Sequence, residues 1–143
     1  MLLSAVLLFS ACRRDGSLSE LPAPERAAEA THSLVVLYYR PDDCFTCFGV
    51  LGHWIDLERR SGLTVWLAFD EQPTLQAESA ISKLRLPFRT GMANGADEHS
   101  GRPKSTVKEV LFVKGLVRDS ALIRLGETRS DLVARLQIGE QHP

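Results

Sequence analysis

The sequence lacks the charge and the motifs of several common functional classes. Its formal net charge is only −1, with 17 basic and 18 acidic residues, so no excess of positive charge is available to neutralise the phosphates of a nucleic acid. It contains no phosphate-binding glycine loop, no His-Glu-x-x-His helix and no Ser-His-Asp order, and hydrolase and nucleotide chemistry therefore have no support. What remains, at 143 residues and 44% hydrophobic content, has the size and composition of one globular domain.

No apolar run in the sequence is long enough to span a membrane, and the apolar stretch near the N-terminus is short. Residues 2–9 are almost wholly apolar and are followed by Ser10, Ala11 and Cys12, whereas a membrane-spanning helix needs ~20 apolar residues. The stretch resembles a bacterial lipoprotein signal, although no Lys or Arg precedes it and Phe9 stands where such signals usually carry Leu, Val or Ile. This resemblance implies that Cys12 is lipidated and anchors an extracytoplasmic domain to a membrane of the bacterial cell envelope.

Cysteine is scarce, with three residues in the chain. If Cys12 carries lipid, Cys44 and Cys47 remain as a Cys-x-x-Cys pair, and no second pair exists to complete a four-sulfur zinc site. The pair follows the apolar run 34–39 and begins a segment with helical spacing. A strand that delivers two cysteines to a helix N-terminus favours a thiolate and holds the second thiol nearby.

Residues 13–32, which contain Pro22 and Pro24, lack a sustained apolar face. We therefore expect a flexible tether over 13–32, with a turn or two of helix beginning at Pro24. The chain is then divided into a lipoprotein-type signal over 1–12, this tether, and a folded domain over 33–143.

Within the domain, strand and helix patterns alternate. Continuous apolar runs predict strands that are buried on both faces, and the hairpin strands are joined by a tight turn at Lys114-Gly115. The predicted order is a strand over 34–39, a helix over 45–60, a strand over 63–69, a helix that Thr74 opens and Pro87 ends, a long loop over 88–104, strands over 107–113 and 116–123, and a helix after a capping box at 128–131.

This order, with Cys44 and Cys47 at the first strand-to-helix junction and a hairpin before the last helix, resembles the thioredoxin fold in its minimal form over residues 33–138. The resemblance implies a three-layer α/β fold with a central mixed sheet of about four strands. It also implies that Cys44 is the nucleophile of thiol-disulfide exchange and that Cys47 resolves the mixed disulfide. The expected partners are other envelope proteins, held through transient mixed disulfides, and no cofactor is implied.

Several neighbouring residues depart from the thioredoxin pattern. Asp42 and Asp43 stand where an aromatic residue usually precedes the first cysteine, and their charge opposes thiolate formation. Tyr38 stands where thioredoxins have a buried acid. Val107 lies near the position of the family's cis-proline, which makes it a candidate substrate contact together with Phe45, the first residue between the cysteines.

Two further residues leave alternatives open. Glu109 is either an exposed residue of an edge strand, the favoured reading because charged side chains are mostly exposed, or a proton shuttle facing the cysteines. His99, in the long loop, is a candidate third ligand if the pair instead binds a soft metal such as Cu(I). A second alternative for the pair is a degenerate domain whose disulfide is purely structural. Whether the protein would act as a reductase or an oxidase is left open.

Overall fold

The structure is a computed structural model that describes residues 18–40, 44–94, 103, 105–124 and 126–139, with the backbone alone for residues 44–49. Its elements follow the predicted order, including the helix predicted to begin at Pro24, with one addition, a short strand in the predicted loop. They are α1 (Pro24–Thr31), β1 (Ser33–Tyr39), α2 (Cys44–Ser61), β2 (Thr64–Phe69), α3 (Leu75–Lys83), β3 (Arg89–Met92), β4 (Thr106–Val113), β5 (Leu116–Arg124) and α4 (Asp131–Gly139).

The strands form one mixed sheet in the order β3-β2-β1-β4-β5. β1, β2 and β3 are parallel, whereas β4 runs antiparallel to β1 and β5 antiparallel to β4. The α/β class and the mixed sheet are confirmed, but the sheet has five strands rather than about four. The additional strand is β3, which lies inside the predicted loop 88–104.

The core has two layers because β1 and β2 are buried on both faces, as their continuous apolar runs predict. The connections β1-α2-β2 and β2-α3-β3 step in the same direction across the sheet, and right-handed crossovers therefore place α2 and α3 on one face. α4 packs on that same face. The largest fully buried side chains between this face and its helices include Trp54, Leu51 and Leu57 of α2 and Leu132 of α4.

The opposite face of the sheet is covered by the segment before β1. Leu21 is 5% exposed and Ala28 of α1 is fully buried, and both pack with Val36, Tyr38 and other side chains of the central strands. The helix predicted to begin at Pro24 is present. The expectation of a flexible tether does not fit residues 18–32, which are packed on the sheet, while residues 13–17 lie outside the described residues.

Local signals account for several element ends. Thr74 caps α3 by accepting a hydrogen bond from the Ala77 backbone N–H at 3.2 Å, and Lys114 and Gly115 both have positive φ in the hairpin turn. At α4 the cap is Ser130 rather than Thr128, because the Ser130 hydroxyl accepts from the Val133 N–H at 3.0 Å. Among the described helices, none is long and apolar enough to cross a membrane.

Candidate functional site

The two cysteines of the Cys-x-x-Cys pair lie in the first turn of α2. β1 ends at Tyr39 and α2 begins at Cys44, so the helix starts beyond the carboxyl end of a central strand. Cys47 follows one turn later on the same 18-residue helix. The backbone thus places the pair at a helix N-terminus, where unpaired N–H groups and the helix dipole stabilise an anion. The side chains of Cys44, Cys47 and Phe45 lie outside the described part, as do Cys12 and His99, and the roles predicted for these five residues stay predictions.

The strand ends beneath this helix start are held together by buried aromatic side chains. Tyr39 and Phe69 are each no more than 1% exposed, and their ring centroids lie 6.5 Å apart in a tilted arrangement. The backbone N–H of Asp70 donates to the Tyr39 carbonyl at 3.0 Å. These contacts fix the ends of β1 and β2 against each other and so provide a rigid base for the first turn of α2.

Tyr38, at the position of the acid in thioredoxins, is buried on the other face of the sheet. It packs with the cluster that includes Leu21 and Ala28, whereas α2 covers the face on which Tyr39 lies. This follows from the strand period of two, because successive side chains point to opposite faces. Tyr38 therefore does not take the place of an acid beneath α2.

Val107, the candidate substrate contact, is 1% exposed and packs in the core under α2. It lies at the start of β4, opposite Ile123 of β5. Since its side chain is buried between sheet and helices, a docked chain would meet only the backbone of this residue. Val107 contributes to packing in the described structure rather than to an exposed surface.

Glu109 is fully buried, and the favoured expectation of an exposed edge residue is wrong. β4 is an interior strand, paired with β1 on one side and β5 on the other, and Glu109 points to the face that α2 and α4 cover. The indole Nε1–H of Trp54 donates to its Oε1 at 2.8 Å. The other carboxyl oxygen, Oε2, has no hydrogen-bond partner among the described residues.

Burial raises the pKa of Glu109 above its ordinary value of 4.5, because desolvation penalises the charged carboxylate. The hydroxyl of Ser130 lies beside the carboxyl group without reaching standard hydrogen-bond geometry. Ser130 and Trp54 both act to lower the pKa of Glu109, but less strongly than burial raises it. The negative charge of Asp131 raises the pKa slightly further. The protonated form is thus favoured by the site relative to an exposed glutamic acid.

Glu109 reaches the helix that carries the cysteines through Trp54 rather than through the cysteines themselves. Trp54 lies seven residues after Cys47 on α2, which is about 10 Å along the axis of a helix. The carboxyl group is therefore level with the middle of α2, and not with its first turn. A direct proton transfer between Glu109 and either cysteine is not supported by this placement.

The contact between Trp54 and Glu109 is the feature that sequence reasoning missed. The two residues are 55 positions apart, and no local pattern links them. The available signal was a single acidic residue at a position that shares a strand face with the apolar Val107 and Leu111, together with a tryptophan on the sheet-facing side of the helix. No group of three or more His, Cys, Asp or Glu side chains suited to hold a metal occurs among the described residues.

The structure is similar to solved proteins, although no protein-family profile matches the sequence and no curated protein matches it. A candidate thioredoxin from Neisseria meningitidis superposes with a TM-score of 0.56 at 13% identity, over 81% of this chain and 79% of the other. The bacterioferritin comigratory protein of Xanthomonas campestris, which is connected with alkyl peroxide reduction, gives a TM-score of 0.51 at 13% identity, over 80% and 82%. A variant of peroxiredoxin Q from the same organism gives 0.51 at 13% identity, over 80% and 81%.

Proposed function

Since the chain has the thioredoxin-like fold, we propose that it is an extracytoplasmic, membrane-tethered protein that carries out thiol-disulfide exchange on other envelope proteins through Cys44 and Cys47. In this proposal Cys12 carries the lipid anchor. The likeness to solved structures concerns the fold, so the activity is argued from the position of the cysteines within that fold.

One observation carries the proposal: α2 begins at Cys44, with four residues between it and the end of the central strand β1. Of the ways in which two cysteines can occur in a chain, this one places the first at the free end of a helix and the second one turn further in. The backbone N–H groups of the first helical turn have no partner within the helix. They stabilise a thiolate at the first position, and the thiolate is the reactive form of cysteine.

The exchange then proceeds in two displacements. The Cys44 thiolate attacks one sulfur of a partner's disulfide, which forms a mixed disulfide and releases the other partner sulfur as a thiolate that takes up a proton. The Cys47 thiol then loses its proton and attacks the Cys44 sulfur, which forms the Cys44–Cys47 disulfide and releases the second partner thiolate. The partner is reduced and the pair is oxidised; the reverse sequence would oxidise a partner.

Within this scheme Glu109 supports the helix and does not react. Its carboxyl group accepts from Trp54 of α2 and lies beside Ser130, the cap of α4. It thus connects the cysteine-bearing helix and the last helix to the central strand β4. Because the attachment lies in the middle of α2, the first turn remains available to a partner.

Trapping of the mixed disulfide tests the proposal. In Cys47→Ser the resolving thiol is absent, and we expect disulfide-linked adducts with other envelope proteins that disappear on reduction. Cys44→Ser is the matched control, since it also retains a single thiol of the pair but lacks the nucleophile, and it should form no adducts. The absence of adducts in both variants would contradict the proposal. If the reduced pair instead bound one Cu(I) and lost it on His99→Ala, the metal-binding alternative would replace it.

A further inference from the structure

We propose that one edge of the domain, formed by the exposed residues Lys83, Leu84, Arg85 and Arg89, rests on the anionic phospholipid surface to which the chain is anchored. We call these four residues the basic edge. The inference rests on the lipid anchor at Cys12 that forms part of the proposed function. It adds an orientation and a lipid-binding surface, which the anchor alone does not give.

The first argument is that the chain is attached to the β3 edge of the sheet well before β1 begins. The Met92 N–H donates to the Ser19 carbonyl at 2.9 Å, and the Leu21 N–H donates to the Met92 carbonyl at 2.8 Å. The Glu20 carboxylate accepts from the Asn94 side-chain amide at 2.8 Å. Together with burial of Leu21, these bonds join residues 19–21 to the folded domain as a sixth, very short extended segment.

The close approach at this edge depends on Gly91. A Cβ atom there would lie 2.6 Å from the Ser19 carbonyl oxygen and 2.8 Å from Cγ of Leu21, and both distances are shorter than van der Waals contact. The lack of a side chain at residue 91 therefore allows the segment to lie against β3. The packing of residues 19–21 against β3 thus depends on the residue type at position 91 of this edge strand.

The second argument is the short length of chain that remains between anchor and domain. Leu18, the first described residue, already packs against the core, and it follows Cys12 by six positions. Six residues span at most about 22 Å when fully extended. A free tether of the predicted twenty residues would instead reach roughly 70 Å. The domain is thus confined close to the lipid surface.

The third argument concerns which side of the domain lies closest to the anchor. Leu18 lines one cavity together with Arg85, Leu86 and Thr90, so the chain reaches the domain beside the basic edge. Lys83 and Arg85 are exposed, and neither forms an ion pair within the described part of the chain. The one carboxylate in the lining of this cavity, Glu78, is half-buried.

The composition of the basic edge suits a phospholipid headgroup layer. Leu84 is 43% exposed between two cations. Arg89 is also exposed, and its guanidinium lies 5.4 Å from the centre of the Trp66 ring. Two more cations, Arg13 and Arg14, occur in the short chain between Cys12 and Leu18. At an anionic membrane each Lys or Arg near the surface strengthens binding roughly fivefold. The three cations of the basic edge should therefore favour contact by on the order of a hundredfold.

This orientation keeps the cysteine pair away from the lipid. Because β1, β2 and β3 are parallel, their carboxyl ends lie at one end of the sheet, where α2 begins at Cys44. The basic edge includes Arg89, the first residue of β3, and therefore lies toward the opposite end. A domain resting on residues 83–89 would present the first turn of α2 to other envelope proteins.

The test is hydrogen-deuterium exchange on the full-length, lipidated protein reconstituted into vesicles. Vesicles of phosphatidylcholine with phosphatidylglycerol are compared with vesicles of phosphatidylcholine alone. We expect amides of residues 84–90 to exchange at least about tenfold more slowly on the anionic vesicles, with the difference lost in high salt because the charges are then screened. The double variant Lys83→Glu/Arg85→Glu should lose the protection. The matched control Arg118→Glu/Arg124→Glu, which changes the same number of exposed charges on β5 at the opposite edge of the sheet, should keep it.

Equal exchange on the two kinds of vesicle, or loss of protection in the control variant as well, would overturn the inference. Failure of the anchor itself is recognised separately, because the protein would then not float with vesicles after a high-salt wash. Failure of thiol-disulfide exchange has a third signature, the absence of trapped adducts in Cys47→Ser, and leaves the exchange protection unchanged.

Discussion

Replacement of Glu109 by glutamine should stabilise the protein at alkaline pH. Glutamine retains a carbonyl oxygen that can accept the 2.8 Å hydrogen bond from Trp54, and it places an amide N–H₂ where Oε2 has no partner among the described residues. The Ser130 hydroxyl beside it can accept from that amide. The substitution thus removes a buried charge and an unsatisfied acceptor while it keeps the shape and the contact to α2.

The magnitude follows from the cost of a buried polar atom without a partner, about 1–3 kcal/mol. We therefore expect Glu109→Gln to raise the free energy of unfolding by ~1–3 kcal/mol at about pH 8, which corresponds to a rise in Tm of several degrees for a domain of this size. Glu109→Ala should have the opposite effect at every pH, because it leaves the Trp54 N–H buried without an acceptor and creates a cavity.

The raised pKa of Glu109 determines how the stability of the wild type changes with pH. The pKa of Glu109 is raised in the folded state, so between the unfolded and folded pKa values the native state binds more protons than the unfolded state, and stability falls as pH rises through this window. Below about pH 4 the glutamic acid is mostly protonated in both states, and the difference in stability between wild type and Glu109→Gln should be smallest there. The gap should open as pH increases and become constant above the folded pKa.

Urea unfolding followed by circular dichroism from about pH 4 to pH 8 measures this gap. Glu58→Gln is the control, because burial also raises the pKa of Glu58 but leaves it partly exposed, and a much smaller gap is expected. If Glu109→Gln were less stable than wild type at pH 8, or if the gap narrowed as pH rose, the carboxylate would be stabilised by its surroundings and the reasoning would be refuted.

Two further pairs of substitutions, each a test variant with its control, examine how residues 19–21 and α4 are attached to the fold. Gly91→Ala should lower the free energy of unfolding by about 1–3 kcal/mol through the clash with Ser19, and it should speed hydrogen exchange of the Leu21 amide. The control Gly52→Ala has nothing within 4 Å of the new Cβ and should stabilise α2 by roughly 0.5–1 kcal/mol. Equal effects of the two substitutions in thermal unfolding would argue against the close approach at β3. Ser130→Ala should cost ~1 kcal/mol by removing the cap of α4, while Thr128→Ala should cost almost nothing in the same assay, and the reverse order would restore the capping box predicted from the sequence.

The parts of the fold that could be predicted from the sequence are those with a strong local signal. The apolar runs that form β1 and β2, the Lys114-Gly115 turn and the Thr74 cap each depend on residues close together in the chain. Likewise, the start of α2 at Cys44 follows from the strand before it and the helical spacing after it.

The rest depends on contacts between distant segments. β3 has the sequence Arg-Thr-Gly-Met, which carries no strand pattern, and it forms because β2 and the segment around Ser19 supply hydrogen-bond partners on its two sides. The burial of Leu21 and Ala28 depends in the same way on the sheet face they cover. Glu109 was expected to be exposed because charged residues usually are, and only the Trp54 indole, from a different element, shows why it is buried.

The most direct measurement of the central claim is the reduction potential of the Cys44–Cys47 pair, determined by equilibration with thiol-disulfide buffers of known potential. A pair that exchanges with protein partners should have a potential above about −300 mV, because structural disulfides of exported proteins typically lie below that value. The account predicts a single two-electron transition in the higher range, lost in both Cys44→Ser and Cys47→Ser. A potential below about −300 mV, or no transition at all, would contradict thiol-disulfide exchange and favour a structural role for the pair.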